Sequence, residues 1–479
     1  MQIKYIKLAL VIGRWVTARC TRLIHPTRII LLLALSQTSF ANTLQTYEYR
    51  LGNGLKLIVQ EDHRAPVVIS QIWYKVGSSY EPDGITGISH VLEHMMFKGT
   101  SKHPAGEFSR LISLNGGKEN ASTSNDYTFY YQELSADKLP LSFELEADRM
   151  NNLALLNSEF KKEIQVVISE RNMRTDDNPQ AHTYERFIAT AFVSSPYHHL
   201  TIGWLDDLQH LNINDLNQWY KTWYAPNNAI VVVTGDVKPE AVYQLAKKYF
   251  GAIPPANITQ IKPQREIKPL GEKRVIVKAE AQLPWIIMGY LVPTLVTAKE
   301  KWQPYAIAVL QGILDGGNAA RLEKEIVRTQ QIATDANASY DIYDRLDTLF
   351  TLDGTPAPGH TIDQLENAFK DQIKRLQTTL VTDEELKRVK AQVIANKLYA
   401  KDSLAGKASE IGSLESVGLS WRVANQYVDN IKMVTKEQIQ KVAQLYFNSD
   451  NATIGILSPL PMAKSNVPAL SPIGSQNVK

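Results

Sequence analysis

The chain reads as an α+β protein of two homologous domains, each an antiparallel sheet packed with helices and joined by a proline-containing linker. Three observations predict this. "WYAPNNAIVVVTG" (223–235) and "YFNSDNATIGILS" (446–458) both run from an aromatic pair through polar turn residues into an apolar strand, and aligning Asn228 with Asn451 sets an offset of 223 residues. "LKLIVQEDHRAPVVISQIWYKVG" (55–77) pairs similarly with "KRVIVKAEAQLPWIIMGYLVP" (273–293), where Pro66 and Pro284 set an offset of 218. Similar offsets at both ends point to a duplicated unit of about 210 to 220 residues. Each copy, finally, opens on strand-like runs, passes through helical patterns and closes on a short strand.

Taken in chain order, residues 1–41 hold Lys4, Lys7, Arg14, Arg19, Arg22 and Arg28 and no acid, then the apolar run "IILLLAL" and the small-residue site Ser39-Phe40-Ala41. That order matches a secretory signal peptide cut after Ala41 and predicts a periplasmic or secreted mature chain. A mitochondrial transit peptide is also basic, but the aliphatic block and cleavage-like site fit export better. An uncleaved N-terminal anchor is the other alternative, since "YIKLALVIG" is apolar too. Neither run reaches the roughly 20 residues that span a bilayer, so no stable transmembrane span is expected in the mature form.

Removing the leader takes the formal net charge from +3 to −3, because all six of its charges are positive. No basic footprint for nucleic acid then remains. Cys20, the only cysteine, leaves with the leader, which excludes a structural disulfide and a cysteine nucleophile in the mature chain. The first domain is expected over 42–250. "GAIPPANITQIKPQREIKPLGEK" (251–273) carries four prolines and no helical period, so it reads as the linker. A second domain over 274–465 and a tail over 466–479 complete the chain.

The chemistry concentrates in "SHVLEHMMFKGT" (89–100). Ile85, Ile88, Val91, Leu92, Met95 and Met96 recur at helical spacing, so the stretch predicts a helix with one buried face. On it His90 and His94 lie one turn apart on the same side, with Glu93 beside them. Two neutral imidazoles so placed suit Zn²⁺, but a catalytic zinc takes a third protein ligand and keeps a fourth position open. "NSEFKKEIQVVISERNMRTDDNP" (157–179) offers Glu163 and Glu170, seven residues and two turns apart on one face. Histidines satisfied in a core and glutamates on a solvated face remain the plainer reading of these residue types.

The motifs together resemble the pitrilysin and insulinase family of zinc peptidases, in particular its two-domain branch with the mitochondrial processing peptidases and bacterial relatives. The family signature is H-x-x-E-H, followed about 75 residues later by a glutamate ligand with another glutamate seven residues before it. His90, Glu93, His94, Glu163 and Glu170 occupy those places. The similarity continues through "YRLGNGLKLIVQED" (49–62), "NASTSNDYTFYY" (120–131), "PYHHLTIGW" (196–204) and "GGNAARLEKEIVR" (316–328), nearly the whole mature chain.

The resemblance implies one zinc per chain on His90, His94 and Glu170, with Glu93 as general base and then general acid, and Glu163 supporting a ligand histidine. It also implies that the strand containing Asn120 and Ala121 pairs with extended peptide substrates. The corresponding part of the second copy, "PYAIAVLQGILDGG" (304–317), has no histidine, so a single metal site and a second domain acting as wall and clamp are expected. Together these imply a metalloendopeptidase cutting unfolded peptides or oligopeptides inside a closed two-lobe chamber. The family also contains non-catalytic scaffold and binding subunits, typically with a damaged metal motif; the motif is intact here.

One departure stands out. Active members, or their partners, carry an arginine and a tyrosine in the second domain in a pattern like R-x-x-x-L-x-Y. Arg328 fills the first place as a substrate contact, but Thr334 stands where the tyrosine is expected. Either Tyr340 or Tyr343 replaces it, or a related zinc-less subunit supplies the pair in a heterodimer; a self-sufficient homodimer is the alternative.

Overall fold

Continuous apolar runs such as "AIVVVTG" leave no face of a strand for water, and the sheets built from them are covered on both sides. The computed structural model describes residues 45–461 apart from 259, 260, 263 and 401; the expected leader and tail lie outside the described residues. The first sheet comprises β1 (Thr46–Arg50), β2 (Lys56–Glu61), β3 (Val67–Tyr74), β4 (Lys118–Thr123), β5 (Thr128–Ser135) and β6 (Ala229–Gly235), in the order β1-β2-β6-β3-β5-β4. The second comprises β7 (Lys273–Glu280), β8 (Trp285–Val292), β9 (Ala333–Ser339), β10 (Thr348–Pro356) and β11 (Ala452–Leu460), in the order β7-β11-β8-β10-β9.

Apart from β1 the two orders are the same, strand for strand, as duplication requires. One pair in each sheet departs from the antiparallel expectation: β2 runs parallel to β6, and β7 to β11. These pairs join the beginning of each lobe to its end, a connection long enough to allow parallel pairing. The aligned asparagines also share a role. Asn228 Nδ2 donates to Trp223 O at 3.0 Å and Asn451 Nδ2 to Tyr446 O at 2.6 Å, tying each closing strand to the helix before it.

Three helices of each lobe carry the candidate site residues, their counterparts and the contact between lobes. In the first they are α1 (Ile88–Met95), α2 (Asn157–Arg171) and α3 (Pro179–Ala191); in the second, α4 (Trp302–Leu314), α5 (Asp383–Ala400) and α6 (Leu404–Ser416). α1 packs against the first core through Ile88, Val91, Leu92 and Met95, all fully buried.

The lobes interlock. α3 crosses to the outer face of the second sheet, where Phe187, Ile188 and Ala191 pack with Trp285, Ile287 and Leu457. α6 makes the reciprocal crossing, with Ala408 and Ile411 against Ile58, Ile69, Trp73, Ile230 and Val232 of the first sheet. Each sheet therefore has its own helices on one face and a helix from the other lobe on the opposite face, and the described residues form one compact unit. Residues 254–272 contain no helix or strand among those described, yet they are pinned: Glu266 accepts from the backbone N–H groups of Val193, Ser194 and Ser195. Among the described residues no helix is long and apolar enough to cross a membrane.

Candidate metal centre

α1 is only eight residues long, so its direction depends on how it is started. Gly87 at its N-cap has φ 86°, and an added Cβ would meet Ile202 O at 2.5 Å, so glycine is required there twice over. Glu81 receives the otherwise unpartnered donors of the first turn, from Gly87 N at 2.7 Å and Ser89 N at 2.8 Å. Burial pushes the Glu81 carboxyl up to about 7 in spite of these donors.

From that start, His90 and His94 project to one side, with ring centroids 4.7 Å apart and planes at 78°. α2 passes alongside and delivers both glutamates. Glu170 Oε2 lies 3.5 Å from His94 Nε2 and 4.0 Å from His90 Nε2, and the three ligand atoms all lie within 4.8 Å of one another. Ligands on a tetrahedral ion with bonds of about 2.1 Å are spaced about 3.4 Å apart, so this donor set fits zinc after small shifts. Glu163 reaches the other nitrogen of His94, Nδ1 to Oε1 at 2.9 Å, which directs the Nε2 lone pair toward Glu170.

The local electrostatics keep His90 in a form able to bind a metal. Burial, then the neighbouring His94 and Arg174, push His90 down to about 3, so its imidazole is neutral. His90 Nδ1 is itself buried without a partner among the described residues, a deficit a neutral ring bears at less cost than a charged one. Glu93 lies beside the cluster and accepts a short hydrogen bond from the Thr123 hydroxyl at the end of β4. Burial raises the Glu93 carboxyl above its ordinary range, in the direction of the working pH, where a group that takes up and returns a proton is most effective.

The structure thus brings His90, Glu93, His94, Glu163 and Glu170 together. Asn120 and Ala121 lie on β4, the edge strand of the first sheet, where the Asn120 carboxamide oxygen accepts from Ala121 N at 2.9 Å. Arg328 is not gathered into the cluster: its half-exposed side chain pairs with Glu323 at 3.2 Å. Thr334 is engaged with Asp335 and Thr355 O. Of its suggested replacements, Tyr340 donates its hydroxyl to Pro293 O at 2.7 Å, and the Tyr343 hydroxyl accepts from Lys397. Both phenols already take part in hydrogen bonds, Tyr340 as donor and Tyr343 as acceptor.

Sequence reasoning missed Lys98, paired with Glu163 at 2.6 Å, and Arg174, paired with Glu170 at 2.7 Å. Arg174 was findable, since it follows Glu170 by four residues, whereas Lys98 lies beyond the end of α1. Thr123 carried no such signal.

Residues 56–203 match the family described as "Insulinase (Peptidase family M16)", and residues 210–393 match "Peptidase M16 inactive domain". The zinc protease PqqE of Helicobacter pylori is 33% identical over 418 residues, 85% of this chain and 92% of that one. The crystal structure of a protease from Helicobacter pylori superposes with a TM-score of 0.82 at 31% identity, covering 87% of this chain and all of that one. The first half of the periplasmic protease PqqL from Escherichia coli shares the fold, with a TM-score of 0.71 at 20% identity, over 86% of this chain and 91% of that one.

Proposed function

The chain belongs to the M16, or insulinase, family of peptidases, and on that premise we propose that it is a zinc-dependent metalloendopeptidase acting on unfolded peptides. The observation that carries this reading is the convergence of His90 Nε2, His94 Nε2 and Glu170 Oε2 beside a half-buried Glu93 that is not one of the three. Zinc, when bound there, supplies a charge that acidifies water and polarises a peptide carbonyl. The protein does the rest. Glu163 holds the His94 ring, Thr123 holds Glu93, and Glu93 takes a proton from water and returns it to the leaving amine.

The unpaired edge of β4 offers a substrate backbone a row of hydrogen-bonding groups, which favours extended chains with little demand on sequence. Compact proteins should resist cleavage while their unfolded forms are cut. Because the lobes interlock through α3 and α6, a chamber closed around substrate is best completed by a second chain. With Thr334, Tyr340 and Tyr343 all engaged, that chain would be a related zinc-less subunit carrying the arginine and tyrosine, with a homodimer as the alternative. Export to the periplasm fits the leader pattern.

The test is Glu93→Gln in the mature chain. It should keep about one zinc while peptide turnover falls by about 10²- to 10⁴-fold, the usual scale of a lost general base. Undiminished turnover sinks the peptidase reading in this form, and a wild type that binds zinc but cuts no peptide, alone or with a partner, favours a scaffold role.

A further inference from the structure

A cavity of about 270 Å³ opens between the lobes, lined by Asp126 and Tyr127 of the first and Asp341, Tyr343 and Asp344 of the second. At this place the connection between β9 and β10 of the second lobe inserts Arg345 into the first. Arg345 N and Nε both donate to the Asp126 carboxylate, at 3.0 and 3.1 Å, and Nη2 donates to Ser79 Oγ at 2.7 Å. Its guanidinium lies 4.3 Å over the Tyr80 ring. Asp126, almost fully buried, also accepts from Ser79 Oγ at 2.7 Å and from Tyr197 OH at 2.5 Å, and Tyr197 OH in turn accepts from Leu346 N.

The two segments that Arg345 joins both lead to the candidate metal centre. Ser79 and Tyr80 run into Glu81, which receives the first turn of α1 and so aims His90, Glu93 and His94. Asp126 sits in the turn between β4 and β5, three residues beyond Thr123, whose hydroxyl holds Glu93. One guanidinium from the second lobe therefore fixes both the origin of the metal-bearing helix and the end of the substrate-side edge strand. A pair buried to this degree has little freedom: with Arg345 removed, Asp126 is left as a buried carboxylate and the two segments lose their common anchor.

We propose that Arg345 is a positioning residue for peptide hydrolysis, through which the second lobe sets the alignment of Glu93 against the metal ligands. This rests on the peptidase reading. Arg345→Met, Arg345→Lys and Ser79→Ala would be compared in the full mature chain, with Glu93→Gln as the inactive control, by steady-state kinetics on two peptides of different length and by zinc analysis. Arg345→Met should keep about one zinc per chain and lower kcat by about 10- to 100-fold with KM within about threefold, the scale expected of a small misplacement. Arg345→Lys should recover most of that loss.

A kcat within about twofold of wild type, a loss that tracks missing zinc, or a lysine variant no better than the methionine one overturns the inference. Should Arg345→Met fail to fold, Ser79→Ala decides: lowered kcat at unchanged zinc and KM supports the inference, and wild-type kcat overturns it. Absence of hydrolysis in the wild type, or its survival in Glu93→Gln, defeats the peptidase reading and this inference together. A normal kcat in Arg345→Met beside an inactive Glu93→Gln defeats this inference alone.

Discussion

The two lobes share a strand order and place opposite chemistry at the same point of it. At the offset of 218 residues between β3 and β8, His90, Glu93 and His94 correspond to Ala308, Gln311 and Gly312 of α4. At the offset of 226 between the starts of α2 and α5, Glu163 corresponds to Val389. The hydrogen bond between His94 and Glu163 thus has an apolar counterpart, since a Cβ on Gly312 would lie 2.9 Å from Val389 Cγ1. Glu93 is held by Thr123 at the end of β4; Gln311 donates to Ala338 O on β9 at 2.9 Å. The architecture is indifferent to which set it carries, so the candidate metal site is a property of a few side chains and not of the fold.

The exchanged helices differ in the same spirit. α3 drives Phe187 against two glycines of the second sheet, where Cβ atoms on Gly289 and Gly455 would lie 2.6 and 3.0 Å from its ring and Cβ. On the first sheet the knob and the hole trade places, with Trp73 filling the space over Gly412 of α6. α6 is additionally tied by charges: Lys407 to Asp62 at 2.8 Å and Glu415 to Lys56 at 2.7 Å, while Arg422 beyond its end meets Glu48 at 3.1 Å. One crossing is held by an aromatic plug, the other by small residues and ion pairs.

The contrast can be broken most directly at the ligands. His94→Ala and Glu170→Ala should each lose zinc and peptide turnover altogether, whereas Gly312→His should gain no metal, because Val389 occupies the space; elemental analysis of the purified variants checks both. A smaller effect is expected one step out. Glu163→Gln should weaken zinc affinity by about 10- to 100-fold in chelator competition, while Val389→Thr leaves it unchanged.

The crossings are separable by denaturant unfolding. Phe187→Ala should cost about 3–5 kcal/mol by opening a cavity over Gly289, and Gly412→Ala about 1–3 kcal/mol by overpacking against Trp73. Equal losses would remove the distinction between plug and hole. The least change is expected from acid. Partial burial acts against ionisation of Glu48, but hydrogen bonds from Lys56, Trp421 and Arg422 hold it down to about 2. A carboxyl depressed in the folded state stabilises above its unfolded value and loses that contribution as pH falls toward about 2. Thermal stability should therefore decline more steeply between about pH 5 and 2 in the wild type than in Glu48→Gln.

Much of the candidate centre was legible because it lies on two helices. His90, Glu93 and His94 are placed by the 3.6-residue period of one, Glu163 and Glu170 by that of the other, and the apolar residues between them show which face turns inward. The duplication was legible for a similar reason, since Asn228 and Asn451 perform one local task twice. The uninterrupted apolar runs of β6 and β8 also signalled strands covered on both faces, although they could not say by what.

The sequence by itself therefore determined the duplication, through matched segments, and the helical faces that carry His90, Glu93, His94, Glu163 and Glu170, through their period, while the family resemblance grouped them as a candidate metal site beside an edge strand. Only the tertiary structure decided that α3 and α6 change lobes, that Thr123 holds Glu93, that Arg328 turns away to Glu323, and that Arg345 meets Asp126 across 219 residues of chain. Such partners share no period. They are chosen by how whole surfaces pack, and a side chain finds its neighbour only after the chain between them has closed.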